Sequence, residues 1–152
     1  MRTAVLGALA GAVGVTALNA ASYLDVSVRG RASSDAPAKL AERIVDRLAI
    51  PLAHDPAKRQ RQLAGIGPLL GIATGVAVGV ACGLGRSQLE RMPFLLASMA
   101  TGATAMLCSD VPLAATGVSD PRSWSMADWI SDLVPHLVFG AAVEATLRSL
   151  RR

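Results

Sequence analysis

The chain has 152 residues, 52% of them hydrophobic and only 17% charged, with a net charge of +4. A soluble domain of this size carries about 25% charged residues, so an ordinary water-soluble fold is excluded. With 3% aromatic residues and no pattern of rings interleaved with basic side chains, nucleic acid is not an expected partner.

The apolar residues gather in four stretches, 3–24, 63–85, 92–118 and 127–150. Each is long enough, at roughly 20 residues, to cross a hydrocarbon core about 30 Å thick. The first, MRTAVLGALAGAVGVTALNA onward, has the basic start and apolar run of a signal peptide. It has a single Arg before the run, however, and the run continues to Leu24, so a retained first span is the preferred expectation.

A polar loop, 25–62, follows. Within it Ser34 is placed to cap a helix with Pro37 in its first turn. Leu40, Ile44, Val45 and Leu48 then share one face, and Lys39, Glu42, Arg43, Asp46 and Arg47 the other. This short amphipathic helix has three possible places: the membrane surface, a cover over the bundle, or a solvated loop. Asp55 and Pro56 open the second span as cap and first helical position, with Lys58, Arg59 and Arg61 as a basic collar.

That second span carries Gly67, Gly71, Gly75, Gly79 and Gly83 at strict four-residue spacing. Each glycine costs up to about 1 kcal/mol of helix propensity, so the repeat implies a use. In lipid, small residues let helix backbones approach closely. The stripe reads as a docking surface, within the bundle or toward another chain, with pore lining as the alternative. Cys82 and Cys108 lie in apolar spans without metal or redox spacing and read as inert buried thiols.

The third span contains Asp110 and Pro112. A turn near Arg122 restarts a helix, and Ser125 with Asp128 fits a capping box. The last span reads WSMADWISDLVPHLVFGAAVEATLRSLRR, with Asp128, Asp132, His136 and, beyond Gly140, Glu144 at four-residue intervals on one face. Glu144 is expected to snorkel to the interface and pair with Arg148. Trp124, Trp129 and Tyr23 mark the aromatic belt of one membrane face, side A. Nine basic residues fall on side A and six on side B, which favours a cytoplasmic side A, although the basic C-terminal tail opposes it.

Charge within a span faces protein, water or a ligand. Mirrored about Arg122, Asp110 faces position 134, between Asp132 and His136. Asn19 sits at a similar depth on the first span. Asn19, Asp110, Asp132 and His136 are therefore expected to form one buried polar cluster. Pro135 frees a carbonyl at this level and opens room for a small polar cavity. The cluster serves as an interhelical network, a proton or ion site, or a lipid or metabolite site.

Asp128-x-x-x-Asp132 resembles the paired aspartates of membrane phosphotransferases and prenyltransferases, but the upstream Asp, Gly and Arg residues of the CDP-alcohol phosphotransferase pattern are absent. No phosphate-binding loop, HExxH or nucleotide motif is present. Neither metal nor cofactor is expected, and the chain reads as non-enzymatic.

DVPLAATGV, the Trp-containing turn and PHLVFGAAVEATLRSLRR together resemble the end of the YagU-like inner-membrane proteins. Those share a Pro-Leu-x-x-x-Gly segment and a His-Leu-Val…Glu…Arg helix. The similarity covers about the last 45 residues; the N-terminal two-thirds departs from that family. The whole chain also resembles small actinobacterial membrane proteins of unknown function. The first resemblance implies an inner-membrane protein linked to acid tolerance, with His136 and Glu144 at matching positions.

The expected architecture is all-α: a single integral membrane four-helix bundle with a short amphipathic helix in its first loop. It would be multi-pass in the plasma (inner) membrane, with the bilayer as its partner, and its leading expected role is that of an accessory or self-assembling bundle, as a homo-oligomer or within a larger membrane complex; proton- or ion-linked transport or pH response, and lipid or metabolite binding, are the alternatives.

Overall fold

In the computed structural model, which describes residues 1–150, the chain forms six α-helices and one 3₁₀ turn. They are α1 (Arg2–Arg29), α2 (Ala36–Arg47), α3 (Pro56–Leu84), the single turn α4 (Arg86–Leu89), α5 (Phe94–Ala115), the 3₁₀ turn Pro121–Ser123 and α6 (Met126–Ser149). No strand occurs among the described residues. α1, α3, α5 and α6 are each long and apolar enough to cross a bilayer. The protein is an all-α integral membrane four-helix bundle, its backbone polar groups satisfied within helices as hydrocarbon requires.

The helix ends follow local chemistry. α1 runs beyond Leu24 to Arg29 because Asp25 and Arg29 pair at 2.9 Å, four residues apart. It stops at Gly30, whose left-handed φ of 63° lets its N–H reach the Val26 carbonyl. Asp55 caps α3 by accepting the Lys58 N–H at 2.7 Å, with Pro56 first in the helix. Ser125 caps α6 in a complete capping box with Asp128. The cap of α2 differs from expectation: Asp35 holds the N-cap position, and Ser34 Oγ instead accepts the Ala36 N–H at 3.2 Å.

α2 is neither a free surface helix nor a solvated one. Ala41 and Val45 on its apolar face are buried with Leu63 of α3, and Leu52, Ile66 and Leu70 pack around them. Arg59 of α3 bonds Asp46 of α2 at 2.6 Å, so α2 lies along the first turns of α3 and covers them.

α1 occupies the middle of the bundle, against α3 on one side and α6 on the other, and α5 packs mainly on α6. Glycines set the α1–α3 spacing. A Cβ at Gly79 would lie 2.5 Å from Gly11 Cα, and one at Gly83 would lie 2.7 Å from Gly7 Cα. Gly75 meets the Val15 side chain, and Gly67 meets the Pro37 backbone of α2. Gly71 has nothing within 4 Å. The four-residue repeat drifts by about 40° per step on a helix of 3.6 residues per turn, so one member turns outward while its neighbours face partners.

Phe139 and Val143 of α6 fill the centre, fully buried with Ala10 of α1. They rest on Gly14, where a Cβ would come 2.6 Å from Val143 Cγ2. Cys82 is buried, but Cys108 is exposed on the outer face of α5, contrary to the expectation of two buried thiols.

Gly79→Leu should therefore separate α1 from α3 and lower thermal stability in detergent by at least about 1–3 kcal/mol, the usual cost of overpacking. Gly71→Leu should leave it within about 0.5 kcal/mol. Equal effects at the two positions, read by circular dichroism on heating, would contradict this packing.

Candidate functional site

α5 and α6 form an antiparallel hairpin whose register is set by two glycines. A Cβ at Gly102 would lie 2.6 Å from the His136 carbonyl oxygen. A Cβ at Gly140 would meet the Ser98 carbonyl and lie 2.6 Å from the Gly102 nitrogen. The backbones thus touch at this crossing, and the polar residues of both helices fall into two groups, one on each side of it.

The first group lies toward side A. His136 Nδ1 sits 2.7 Å from the carbonyl of Asp132 one turn earlier. A carbonyl only accepts, so Nδ1 carries a proton. Nε2 then faces Ser109 Oγ at 3.3 Å. Ser109 Oγ also stands 3.2 Å from Asp110 Oδ1 and 2.9 Å from the Met106 carbonyl. Asp132 Oδ1 lies 3.6 Å from His136 Nδ1, so the Asp132 carboxyl on α6 and the Asp110 carboxyl on α5 flank the His136–Ser109 contact. Asp132 Oδ2 is buried and accepts no hydrogen bond.

Ser109 has one proton and three acceptors around it: the Met106 carbonyl at 2.9 Å and Asp110 Oδ1 at 3.2 Å on its own helix, and His136 Nε2 at 3.3 Å across the interface.

The second group lies toward side B. Glu144 is 1% exposed, which overturns the expectation that it snorkels. Its Oε1 accepts the Thr101 hydroxyl at 3.1 Å, and Thr101 Oγ1 is 3.6 Å from Cys82 Sγ. The expected partner is present but loosely engaged, with Arg148 Nε 3.8 Å from Glu144 Oε2. Arg148 is held instead by the Met92 carbonyl at 3.0 Å and by the Phe94 ring at 5.3 Å. The reason is position: Val143 and Leu147 on either side of Glu144 are core residues, and the same face carries Glu144 inward.

Of the predicted cluster, Asp110, Asp132 and His136 come together, with Ser109 as the link that residue patterns alone did not single out. Asn19 does not join them by a hydrogen bond. Its depth matches, since Asp25 of α1 meets Ser131 of α6 at 3.1 Å a turn and a half away, but its half-buried side chain makes no bond to the cluster. Asp128 is a cap, bonded to Ser125, and contributes nothing to the buried group. Depressions lie at the α5–α6 turn, around Gly117 and Asp120, and on the outer face of α5, around Leu107 and Val111. Among the described residues no three His, Cys, Asp or Glu side chains converge to hold a metal ion.

Thr101 and Glu144 were findable: mirrored about Arg122, Glu144 faces position 100, one residue from Thr101. At the turn itself, Asp120 accepts hydrogen bonds from Arg122, and this holds its carboxyl below the ordinary range. Trp124 and Trp129 stack edge to face, 5.0 Å between centroids, at the start of α6.

Fold and site together define a four-span helical membrane protein with a divided polar seam between its last two helices. Comparison with protein-family models, with curated proteins and with solved structures gives no match.

Thr101→Val removes the hydroxyl that Glu144 accepts while keeping the side chain's shape. It should lower stability in detergent by about 1–3 kcal/mol, the cost of leaving a buried acceptor unpaired. An unchanged unfolding temperature would show that Glu144 does not depend on this bond.

Proposed function

We propose that this is a non-enzymatic, proton-responsive protein of the plasma (inner) membrane, in which protonation of the Asp110–Ser109–His136–Asp132 cluster alters the docking of α5 on α6. The observation that carries this reading is the Ser109 bridge: a hydroxyl on one helix between a histidine on the other and a carboxylate on its own. Histidine is the side chain whose ordinary pKa, about 6.5, falls in the physiological range. Here its two nitrogens are committed to different helices, so a change of charge is felt across the interface. The cluster's position favours exchange with side A, because Asp132 lies two turns from the start of α6. The acid tolerance implied by the C-terminal resemblance agrees with this reading.

Assembly with a second copy or a larger complex through the glycine stripe has less support. Gly67, Gly75, Gly79 and Gly83 are occupied by α1 and α2, and only Gly71 is open.

Trp124 and Trp129 are the only tryptophans in the chain, and Trp129 is one turn from Asp132. Intrinsic fluorescence of the reconstituted protein should therefore change between about pH 5 and 8. His136→Ala and Asp132→Asn should flatten that change while leaving helix content intact. A wild-type signal that is constant over this range would remove the proposal.

A further inference from the structure

We infer that the hairpin of α2 and α3 is a binding surface for anionic lipid headgroups, held through Arg43, Arg47, Lys58 and Arg61 at the side-A face of the bilayer. The inference is independent of the proton-responsive reading, because none of these residues belongs to the α5–α6 seam.

The first observation is how the charges of side A are shared out. Arg29 and Arg31 hold Asp25, Lys39 holds Asp35, Arg59 holds Asp46, and Arg122 holds Asp120. Glu42 shares Arg59, and Asp55 and Asp128 serve as helix caps. The acidic residues of the side-A loops are therefore all engaged. Arg43, Arg47, Lys58 and Arg61 pair with none of them among the described residues, and all four are exposed. Four uncompensated cations give one short hairpin a positive field with no counter-charge of its own.

Their placement fits a lipid surface. Ala41 and Val45 are the α2 residues buried against α3. At about 100° per residue, Arg43 and Arg47, each two positions on, stand on the opposite face. On α3, Arg59 and Leu63 meet α2, and Arg61, two positions from each, likewise turns away. The cations thus form a collar around the hairpin and not a pocket, which suits a plane of many headgroups better than one small soluble anion. Depth agrees. The apolar run of α3 starts at Leu63, and Arg61 and Lys58 precede it by about 3 and 8 Å along the axis, at the level where headgroups border hydrocarbon.

The tip of the hairpin adds apolar surface. Ala49 ends α2 with a left-handed φ of 51°, and its neighbours Leu48 and Ile50 are 65% and 45% exposed. Exposed aliphatic residues among basic ones are the composition of segments that lie in a lipid interface. A bare polyanion would leave them in water.

The test follows thermal unfolding of the full chain in neutral detergent as phosphatidylglycerol or phosphatidylcholine is added. Phosphatidylglycerol should raise the unfolding temperature at lower lipid concentration than phosphatidylcholine, and sodium chloride at about 0.5 M should remove the difference by screening. Arg43→Gln combined with Arg61→Gln should raise the phosphatidylglycerol requirement about 25-fold, roughly fivefold for each cation. Arg2→Gln combined with Arg91→Gln takes the same charge from side B, beyond a screening length, and should change it by less than about twofold. Equal effects of the two variants, or equal potency of the two lipids, would overturn the inference. So would a full response to glycerol phosphate alone, which would make the collar a site for a soluble anion. Should the Arg43 and Arg61 variant lose its helix content by circular dichroism, the wild type decides: a lipid preference that persists at about 0.5 M salt would equally overturn it.

Discussion

The contact between Gly102 and Gly140 governs how the rest of the seam is arranged. In hydrocarbon the burial of apolar side chains no longer draws helices together, because lipid is as apolar as leucine. Association depends on close packing and on polar groups that find partners. With no side chain on either glycine, α5 and α6 meet backbone to backbone. That distance brings Ser109 within reach of His136 on one side and Thr101 within reach of Glu144 on the other. A methyl group at either position would force the helices apart and stretch both bonds.

The same economy appears between α1 and α3, where Gly7 and Gly11 meet Gly79 and Gly83. The two interfaces differ in what surrounds the glycines. Around α1 and α3 the flanking residues are Ala, Val and Leu, and the result is a closely packed apolar interface. Along α5 and α6 they are Ser, Thr, Asp, His and Glu, so the packing and the hydrogen bonds are set by one geometry. The polar contacts of α5 and α6 thus depend on the same close approach that the glycines permit.

Ionisable groups in a bilayer are costly, and their neighbours here are limited. Arg148 reaches the Met92 carbonyl and the Phe94 ring instead of closing fully on Glu144, as a long side chain does when its head seeks the membrane surface. Glu144, one turn deeper and shorter, has no such route and turns to Thr101. The separation of this pair follows from side-chain length and depth.

Much of the architecture could be read from the residues alone. Four apolar runs give four spans because a helix must satisfy its own backbone in lipid. Asp55-Pro56 and Ser125-x-x-Asp128 mark helix starts by local chemistry, and a short turn at Arg122 places Asp110 at the depth of Asp132 and His136. These are short-range or one-dimensional facts, settled by the chain's own covalent order. What the order of residues left open was the rotation of each helix about its axis. Rotation is decided by which neighbour fits against which face, and that involves all the helices at once. Hence Gly71 turned outward while its four companions were covered, Asn19 reached the right depth without joining the cluster, and Cys108 faced out. Hence also Glu144, two turns from the end of α6 and beside a matching arginine, was drawn inward: Val143 and Leu147 had to fill the core, and the helix carried the carboxyl in with them.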